Sequence, residues 1–411
     1  MDANKTVLGV YGNAIIARDG AWYTHHSFGR IVERLAPRFA EAHYFAPQSP
    51  EASSDTCDYP LTAPNLHVHP FSAYRNSLQA IRRPDRLLRE YWGMVRKCDT
   101  LFLRGSSPLL WTAHLMARLR GVRVVHWIVG NPPAVMRGGR RGYSRTVHQM
   151  GMLFARFEQR MTRIAARVSG SHLLVNGAEL ARLFHSARTL QVVSTSTEEE
   201  DFFLRDDTCR ADKVRLLFVG FIRPEKGIEF LLRAIPLLTT KRRVNLAIVG
   251  SWDQFSGERE RLDALIDELG LRDDVRWEGY APFGRALFDQ MDRSDILVLP
   301  SLSEGTPRVL VEARARSLPV IATRVGGIPS SVTNGVDGLL VPPRDPTALA
   351  AAVSRLIGDD ALRRRMIRAG RETVRAWTVG RFVELVLDRL VQRGAAPSGV
   401  EAAARTLEED A

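Results

Sequence analysis

The 411-residue sequence contains three cysteines, and no two of them have the Cys-x-x-Cys spacing of a zinc or redox motif. Cys57, Cys98 and Cys209 therefore predict neither structural zinc nor a disulfide framework, and they fit a reducing compartment. No run approaches 18 apolar residues, so no membrane-spanning helix is expected. The first residues also lack the basic and apolar regions of a signal peptide. We accordingly predict a cytoplasmic protein.

Lysine is scarce as well, because it supplies only 5 of the 58 basic residues, yet the formal net charge is +12. Residues 1–205 contain 27 Lys and Arg against 16 Asp and Glu, whereas residues 206–411 contain 31 against 30. The excess basic residues of the first half either lie on a solvated surface without a function in binding or face an anionic partner. We expect no nucleic acid partner, since no nucleic-acid-binding motif or array of stacking aromatics is visible.

Short apolar runs alternate with segments of helical periodicity in both halves, which is typical of an α/β fold. A chain of this length is too long for one core, so two domains are expected. We predict a first domain at residues 1–205 and a second at 206–378, joined through the polar segment Arg205–Lys213. Residues 379–393 should form a final helix, and the Ala-, Gly- and Glu-rich tail 394–411 should be disordered.

The predicted strands include Val7–Tyr11, Thr100–Leu103, Val122–Trp127, His172–Asn176, Val214–Gly220, Val244–Gly250 and Val275–Gly279. The predicted helices of the first half include Tyr23–Phe39, Leu78–Lys97, Leu109–Arg120 and Ser144–Val168. Residues 47–64 are rich in Pro, Ser, Asp and Thr and predict a loop.

The stretch Ser301–Ala322 combines a tight loop, a helix and a strand. It follows Asp295–Pro300, an apolar run of the kind that forms a buried parallel strand. Thr306-Pro307 predicts an N-cap followed by proline at the first helical position, and the helix should extend to Arg316. This order aims the first N–H groups of the helix at whatever lies above the sheet, which predicts an anion site.

Two carboxylates flank this predicted anion site, Glu304 in the loop and Glu312 in the helix. They can hold sugar hydroxyls while the helix N-terminus holds a phosphate. Alternatively, Glu304 is a solvated acid and Glu312 pairs with Arg308 one helical turn away.

The surrounding sequence carries a family resemblance. Glu304-Gly-Thr-Pro-Arg-Val-Leu-Val-Glu312, followed by Pro319–Pro329 and Asn334–Pro342, resembles the retaining nucleotide-sugar glycosyltransferases of family 4, which belong to the glycosyl transferases of group 1. The resemblance is dense over about residues 214–375. It implies the GT-B fold, in which two Rossmann-like βα-alternating domains face a central cleft and the last helix crosses back onto the first domain.

The resemblance also implies roles for residues of the second domain. Glu304 would hold the sugar ring and Glu312 the ribose of the donor. In the loop Gly220–Gly227, Lys226 and an arginine would neutralise the leaving diphosphate. The remaining donor contacts implied by the motif are Gly220, Gly305, Thr306, Pro307, Arg308 and Val309.

The sequence departs from the commonest family pattern at two positions. The arginine that usually follows the glycine directly is replaced by Phe221. Arg223 either reaches the same phosphate from two residues on or pairs with Glu225. Ser330 stands where the Gly-Gly-Ile-Pro motif is often followed by glutamate.

The first domain supplies weaker candidates. His126 ends a predicted strand, where open α/β sheets place ligands. The resemblance implies that such a histidine faces the reacting sugar, and the alternative is a core histidine with satisfied hydrogen bonds. Gly20, Trp22 and Tyr23 follow the first strand and are candidates for the acceptor side, although packing or loop rigidity explains them equally well.

We therefore expect a retaining transferase that moves a hexose from a nucleotide-sugar to a lipid-linked or saccharide acceptor, in bacterial envelope or exopolysaccharide synthesis. No Asp-x-Asp lies at a strand end, so we expect no metal, and no cofactor is expected either. A nucleotide-sugar epimerase or hydrolase of the same fold and a basic membrane-binding module without activity remain alternatives.

The basic first half predicts peripheral binding to the inner, anionic face of the cell membrane. Tyr91 and Trp92 lie near an arginine cluster, which suits an interface. The cluster consists of Arg82, Arg83, Arg86 and Arg89. The basic amphipathic segment Ser144–Val168 either lies on a membrane as well or buries its apolar stripe in the domain.

Overall fold

The computed structural model describes residues 5–48, 57–74, 77–137, 145–251 and 256–391. Two compact units divide these residues. The first contains residues 5–133, 145–192 and 380–391, and the second contains residues 134–137 and 193–379. Residues 138–141, Gly-Gly-Arg-Arg, whose composition indicates a basic loop, lie outside the described residues, as does the predicted disordered tail at 394–411.

The first unit is built on a parallel sheet of seven strands. The strands up to Val192 are β1 (Val7–Tyr11), β2 (Ile15–Arg18), β3 (Ala21–Thr24), β4 (Glu41–Pro47), β5 (Tyr59–Pro60), β6 (Leu66–Phe71), β7 (Thr100–Arg104), β8 (Arg123–Ile128), β9 (His172–Asn176) and β10 (Thr189–Val192). The sheet order is β10-β9-β8-β7-β1-β4-β6, and every neighbouring pair is parallel. β4, β6 and β10 are not among the strands predicted from the sequence.

The helices of this part of the chain are α1 (His26–Leu35), α2 (Ser77–Ile81), α3 (Pro84–Lys97), α4 (Trp111–Arg120), α5 (Pro132–Arg137), α6 (Arg145–Ser169) and α7 (Gly177–Leu183). The predicted helix at 78–97 is two helices, because Pro84 occupies the first turn of α3 and cannot continue α2. Gly121, in the left-handed conformation, ends α4.

The prediction of one helix over Tyr23–Phe39 is wrong at its start. β2 and β3 form an antiparallel hairpin in which Arg18 pairs with Ala21, so that Asp19 and Gly20 make a two-residue turn. Asp-Gly between apolar strands is a strong hairpin signal. The helix begins only after this hairpin, at His26.

The second unit contains a parallel sheet of six strands. Its strands are β11 (Lys213–Val219), β12 (Arg243–Val249), β13 (Val275–Gly279), β14 (Ile296–Leu299), β15 (Val320–Thr323) and β16 (Leu339–Val341). Its helices are α8 (Ile228–Ala234), α9 (Ser256–Glu268), α10 (Arg285–Asp292), α11 (Val309–Ala315), α12 (Pro346–Gly358) and α13 (Asp360–Arg375). The order β13-β12-β11-β14-β15-β16 reverses direction between β11 and β14, which is where Rossmann-like sheets bind ligands.

The boundary between the two units falls after Val192, whereas the sequence predicts it between residues 205 and 206. The segment after Val192 is not a free linker, because it bonds to the second unit. The N–H of Phe203 donates to the carbonyl of Ala315 at 3.0 Å, and the Arg205 guanidinium donates to the carbonyls of Asp292 and Met291 at 2.8 and 3.1 Å.

The final helix α14 (Val379–Val391) packs within the first unit from Gly380 onward. The ring of Phe382 lies 4.7 Å from that of Trp127, and Arg123 donates to the carbonyl of Val391 at 3.0 Å. Among the described residues, no helix is long and apolar enough to cross a membrane.

Candidate active site

Two loops meet at the point where the order of the second sheet reverses. One follows β11 and runs from Gly220 to Gly227, and the other follows β14 and runs from Pro300 to Arg308. The N–H of Leu302 donates to the carbonyl of Glu225 at 2.8 Å, which ties the loops together. The predicted donor residues of both loops are thereby brought to one edge of the sheet.

The centre of this region is an ion pair between the loops. Lys226 Nζ donates to Glu304 Oε1 at 2.6 Å, and Ser301 Oγ donates to the same oxygen at 2.8 Å. The side chains of Lys226 and Glu304 are 19% and 10% exposed. They are thus largely shielded from water yet reachable, which strengthens charge interactions with an incoming ligand.

Close backbone contacts hold the two loops in place. At Gly227 the backbone is left-handed, and a Cβ atom would lie 2.3 Å from the carbonyl oxygen of Pro300. At Gly326, with φ +54°, a Cβ atom would lie 1.8 Å from the carbonyl oxygen of Glu304. These two approaches require glycine, so the Gly-Gly motif after β15 serves to fix the loop that carries Glu304.

The helix after this loop begins later than predicted. α11 starts at Val309, and Arg308 rather than Thr306 is the flanking residue, already in helical conformation. The predicted Thr306 cap is therefore wrong, because no side-chain hydrogen bond caps the helix. In the described part of the chain, the N–H groups of Thr306, Arg308 and Val309 and the buried hydroxyl of Thr306 have no acceptor or partner. Polar groups in this state are ready donors for an anion or a hydroxyl.

Glu312 lies on α11 and is buried. Its Oε1 accepts a hydrogen bond from the hydroxyl of Ser196, which belongs to the segment after Val192. The sequence carries no signal for Ser196, since only the fold brings these two residues together. The bond orients the carboxylate.

Arg223 lies in the same loop as Lys226, whose N–H donates to the carbonyl of Arg223 at 2.9 Å. Its guanidinium lies 4.9 Å from the ring centre of Phe221, and Nη1 lies 3.9 Å from Glu225 Oε1. The structure therefore places Arg223 beside Glu225 and Phe221, which was one of the two arrangements expected from the sequence. Its contact with a diphosphate stays a prediction.

His126 lies inside the first unit and is only 2% exposed. Its Nε2 lies 2.8 Å from the carbonyl oxygen of Gly105, and its Nδ1 lies 3.0 Å from Nε2 of His114. Burial lowers the pKa of His126 to about 4, so the neutral ring donates from Nε2 and accepts at Nδ1. Both ring nitrogens are engaged, which does not support the predicted catalytic role and matches the core alternative.

The three residues predicted for the acceptor side lie on the β2–β3 hairpin. Gly20 is in the turn, and Trp22 and Tyr23 are half-buried on β3. The guanidinium of Arg18 lies 4.4 Å from the ring centre of Tyr23. Trp22 and Tyr23 are successive residues of one strand, so their side chains point to opposite faces of the hairpin. The contact of these three residues with an acceptor stays a prediction.

Comparison with known proteins agrees with this architecture. The family model described as "Glycosyl transferases group 1" matches residues 201–373. A D-inositol 3-phosphate glycosyltransferase of Acidothermus cellulolyticus is 30% identical over 328 residues, which are 75% of this chain and 68% of the relative. An uncharacterised glycosyltransferase of Methanocaldococcus jannaschii is 32% identical over 182 residues. This match covers 44% of the chain and spans less than half of that relative, 45% of its length.

Solved structures share the fold. Sucrose-phosphate synthase from Thermosynechococcus elongatus superposes with a TM-score of 0.68 at 19% identity, covering 99% of this chain and all of that one. HepE of Anabaena, solved with UDP-glucose, has a TM-score of 0.65 at 14% identity, covering 93% of this chain and 99% of that one. At these identities the likeness shows the fold alone, and it confirms the predicted GT-B architecture.

Proposed function

We propose that this chain, which belongs to the glycosyl transferases of group 1, transfers a hexose from a nucleotide-sugar with retention of configuration. The observation that carries the proposal is the Lys226–Glu304 pair at the point where the sheet order reverses. A cation, a carboxylate and backbone N–H groups that have no acceptor among the described residues converge there. This combination suits a ligand in which a phosphate is joined to a sugar. HepE, a structure of the same fold, was solved with UDP-glucose, which supports a donor of this class.

Lys226 would take the leaving diphosphate. Departure of the diphosphate builds negative charge on its oxygens, and a fixed cation stabilises that charge in the transition state. Before the donor arrives, the ammonium is held by Glu304. A phosphate oxygen can replace the carboxylate as its partner, and Glu304 then becomes an acceptor for sugar hydroxyls. Protein cations, rather than a metal, supply the positive charge in this proposal.

The remaining donor contacts follow from position. The amides of Thr306, Arg308 and Val309 would donate to the phosphate and the sugar, and Arg223 would add a second cation. Glu312, oriented by Ser196, would accept the ribose hydroxyls. Gly220, Gly305 and Pro307 would let the ligand approach the backbone.

The acceptor in this proposal is lipid-linked or a saccharide, as in bacterial envelope or exopolysaccharide synthesis. The first unit, with its basic excess and its hairpin residues Gly20, Trp22 and Tyr23, would receive it. We further propose that the enzyme works in the cytoplasm as a peripheral protein on an anionic membrane surface.

A thermal-shift screen against UDP-, GDP- and ADP-sugars tests the donor class. A ligand at 100 times its dissociation constant adds about 2.7 kcal/mol of stability, which is a readily measured shift. The donor that stabilises the wild type should not stabilise Lys226→Ala. Anomeric configuration of the product, read by NMR, then tests retention. Sugar release without any acceptor would support a hydrolase instead, and no shift with any nucleotide-sugar would contradict the proposal.

A further inference from the structure

An exposed apolar stripe runs along α6 in the first unit. Leu153 is 65% exposed, Met150 57% and Phe157 49%. With Ile164 and Val168, which are also exposed, these residues recur at spacings of three, four, seven and four along the helix, so they share one face. We call these five residues the α6 stripe. Contiguous exposed apolar surface of this kind marks an interaction site.

A different face of α6 packs against the domain. Ala165 and Ala166 are buried, and Glu158 turns inward to accept the N–H of Leu109 at 3.0 Å. The ring of Phe157 meets Trp111 of α4 edge-on at 6.4 Å, which anchors one side of the stripe. Leu153 and Met150, the most exposed side chains of the α6 stripe, lie on a different face from the buried Ala165 and Ala166.

An arginine row borders the stripe. Arg156, Arg160 and Arg167 are exposed, and Arg163 is half-buried. These arginines recur at spacings of four, three and four residues, so they also share one face of the helix. That face lies about 90° around the helix axis from the α6 stripe. Glu158 is the one acidic residue in the α6 sequence, and it faces the protein. The outer surface of α6 thus combines apolar side chains with uncompensated positive charge.

We propose that α6 docks in the interface of an anionic lipid bilayer, with the α6 stripe among the acyl chains and the arginine row at the phosphates. This inference deepens the proposed function, since it names the surface through which that enzyme would meet a membrane. Helices with one apolar face and a basic polar face lie in this way in the interfacial plane. A second copy of the chain fits less well, because pairing two such faces brings like-charged arginine rows together.

The structure buries one of the two aromatic residues of the surface expected from the sequence. Tyr91 on α3 is fully buried and donates to the carbonyl of Pro108 at 2.9 Å. The neighbouring arginines have acidic partners: Arg89 donates to Asp85 at 2.8 Å, and Arg86 lies 3.6 Å from Glu90. Compared with the outer surface of α3, the outer surface of α6 has more exposed apolar side chains, and its arginines have fewer acidic partners.

Co-sedimentation of the full chain with vesicles tests the proposal. The wild type should bind phosphatidylglycerol-containing vesicles but not pure phosphatidylcholine. Binding should weaken at 1 M salt, where the Debye length falls to about 3 Å. Leu153→Glu with Phe157→Glu should lower the affinity about tenfold or more, because the apolar insertion is lost. Arg156→Gln with Arg160→Gln should lower it about fivefold for each charge removed.

Matched controls separate a specific surface from general stickiness. Leu237→Glu changes a residue of the second unit that is 49% exposed, and Arg86→Gln with Arg89→Gln removes two charges from α3. Both controls should bind vesicles like the wild type. Equal losses in controls and α6 variants, or no binding by the wild type, would overturn the proposal. Concentration-dependent dimerisation without lipid that Leu153→Glu abolishes would also overturn it, in favour of a second copy.

The two proposals fail separately. The α6 variants should keep the thermal shift given by a nucleotide-sugar, and Lys226→Ala should keep its vesicle binding. Loss of vesicle binding with intact donor binding therefore concerns α6 alone. A chain that binds vesicles but no nucleotide-sugar would leave α6 as a docking surface and remove the proposed transferase.

Discussion

Lys226 and Glu304 lie 78 positions apart in the chain, yet their side chains form an ion pair of 2.6 Å. The pair exists because β11 and β14 are adjacent strands and the loops that follow them emerge at the same edge of the sheet. Ser301 adds a hydrogen bond to the same carboxylate oxygen. Neither loop alone forms a site, and the strand order creates it.

The two carboxylates of the site should divide the donor between them. Glu312→Gln should weaken binding of the nucleotide-sugar and of the free nucleoside diphosphate alike, by about ten- to a hundredfold, because a hydrogen bond to a charged group is lost. Glu304→Gln should weaken the nucleotide-sugar and leave the free nucleotide nearly unchanged. Calorimetric titration of both ligands into both variants measures this, and equal losses in all four titrations would refute the division.

Gly326 should be intolerant of a side chain. Gly326→Ala places a Cβ atom 1.8 Å from the carbonyl oxygen of Glu304, so the loop must move and Glu304 must leave Lys226. Gly335→Ala is the matched control, because its φ of +80° is also positive but nothing lies within 4 Å of the added atom. Both variants should lose about 1 kcal/mol through backbone strain. Only Gly326→Ala should also lose donor affinity, and retention of that affinity would contradict the role of the loop.

Breaking the buried pair of Arg314 and Asp337 should be strongly destabilising. Arg314 Nη1 donates to Asp337 Oδ2 at 2.7 Å, and both side chains are 1% exposed. Asp337→Ala should cost about 3–5 kcal/mol in the free energy of unfolding, because it leaves a buried guanidinium unpaired. Asp289→Ala is the control: it breaks the exposed pair with Arg285 and should cost about 1 kcal/mol or less. Similar urea midpoints for the two variants would contradict this account.

His126 should matter for acid stability rather than for turnover. Burial holds the pKa of His126 at about 4, against about 6.5 for an exposed histidine in the unfolded chain. Between these values the unfolded chain binds a proton that the folded chain does not, so the free energy of unfolding falls as pH is lowered from 6.5 to 4. His126→Gln should reduce that slope and keep the turnover of the folded enzyme. A well-folded His126→Gln protein without activity would restore the catalytic interpretation.

Val275–Gly279 has its predicted bounds, although apolar and polar side chains alternate in it. Other strands of the second sheet, such as Ile296–Leu299, could be predicted because they are continuous apolar runs. The two loops of the site could be placed because each follows such a run. The Asp19-Gly20 turn also has a recognisable hairpin sequence, which the prediction of a helix over Tyr23–Phe39 does not take into account. The Ser196–Glu312 bond could not be predicted, since its partners are 116 residues apart. Tyr91 and Trp92 are neighbours in sequence, and only the packing of α3 decides that the first is buried and the second exposed.

Lys226→Ala gives the most direct test of the central claim, that a fixed cation between these two loops drives departure of the diphosphate. Turnover with the nucleotide-sugar selected by the screen should fall about 10²–10³-fold. The free energy of unfolding should change far less, by about 1–3 kcal/mol, because Ser301 Oγ still donates to the Glu304 carboxylate when the ammonium is removed. Lys241→Ala, which removes an exposed lysine of the same unit, should leave both quantities unchanged. Near-wild-type turnover of Lys226→Ala would contradict the account.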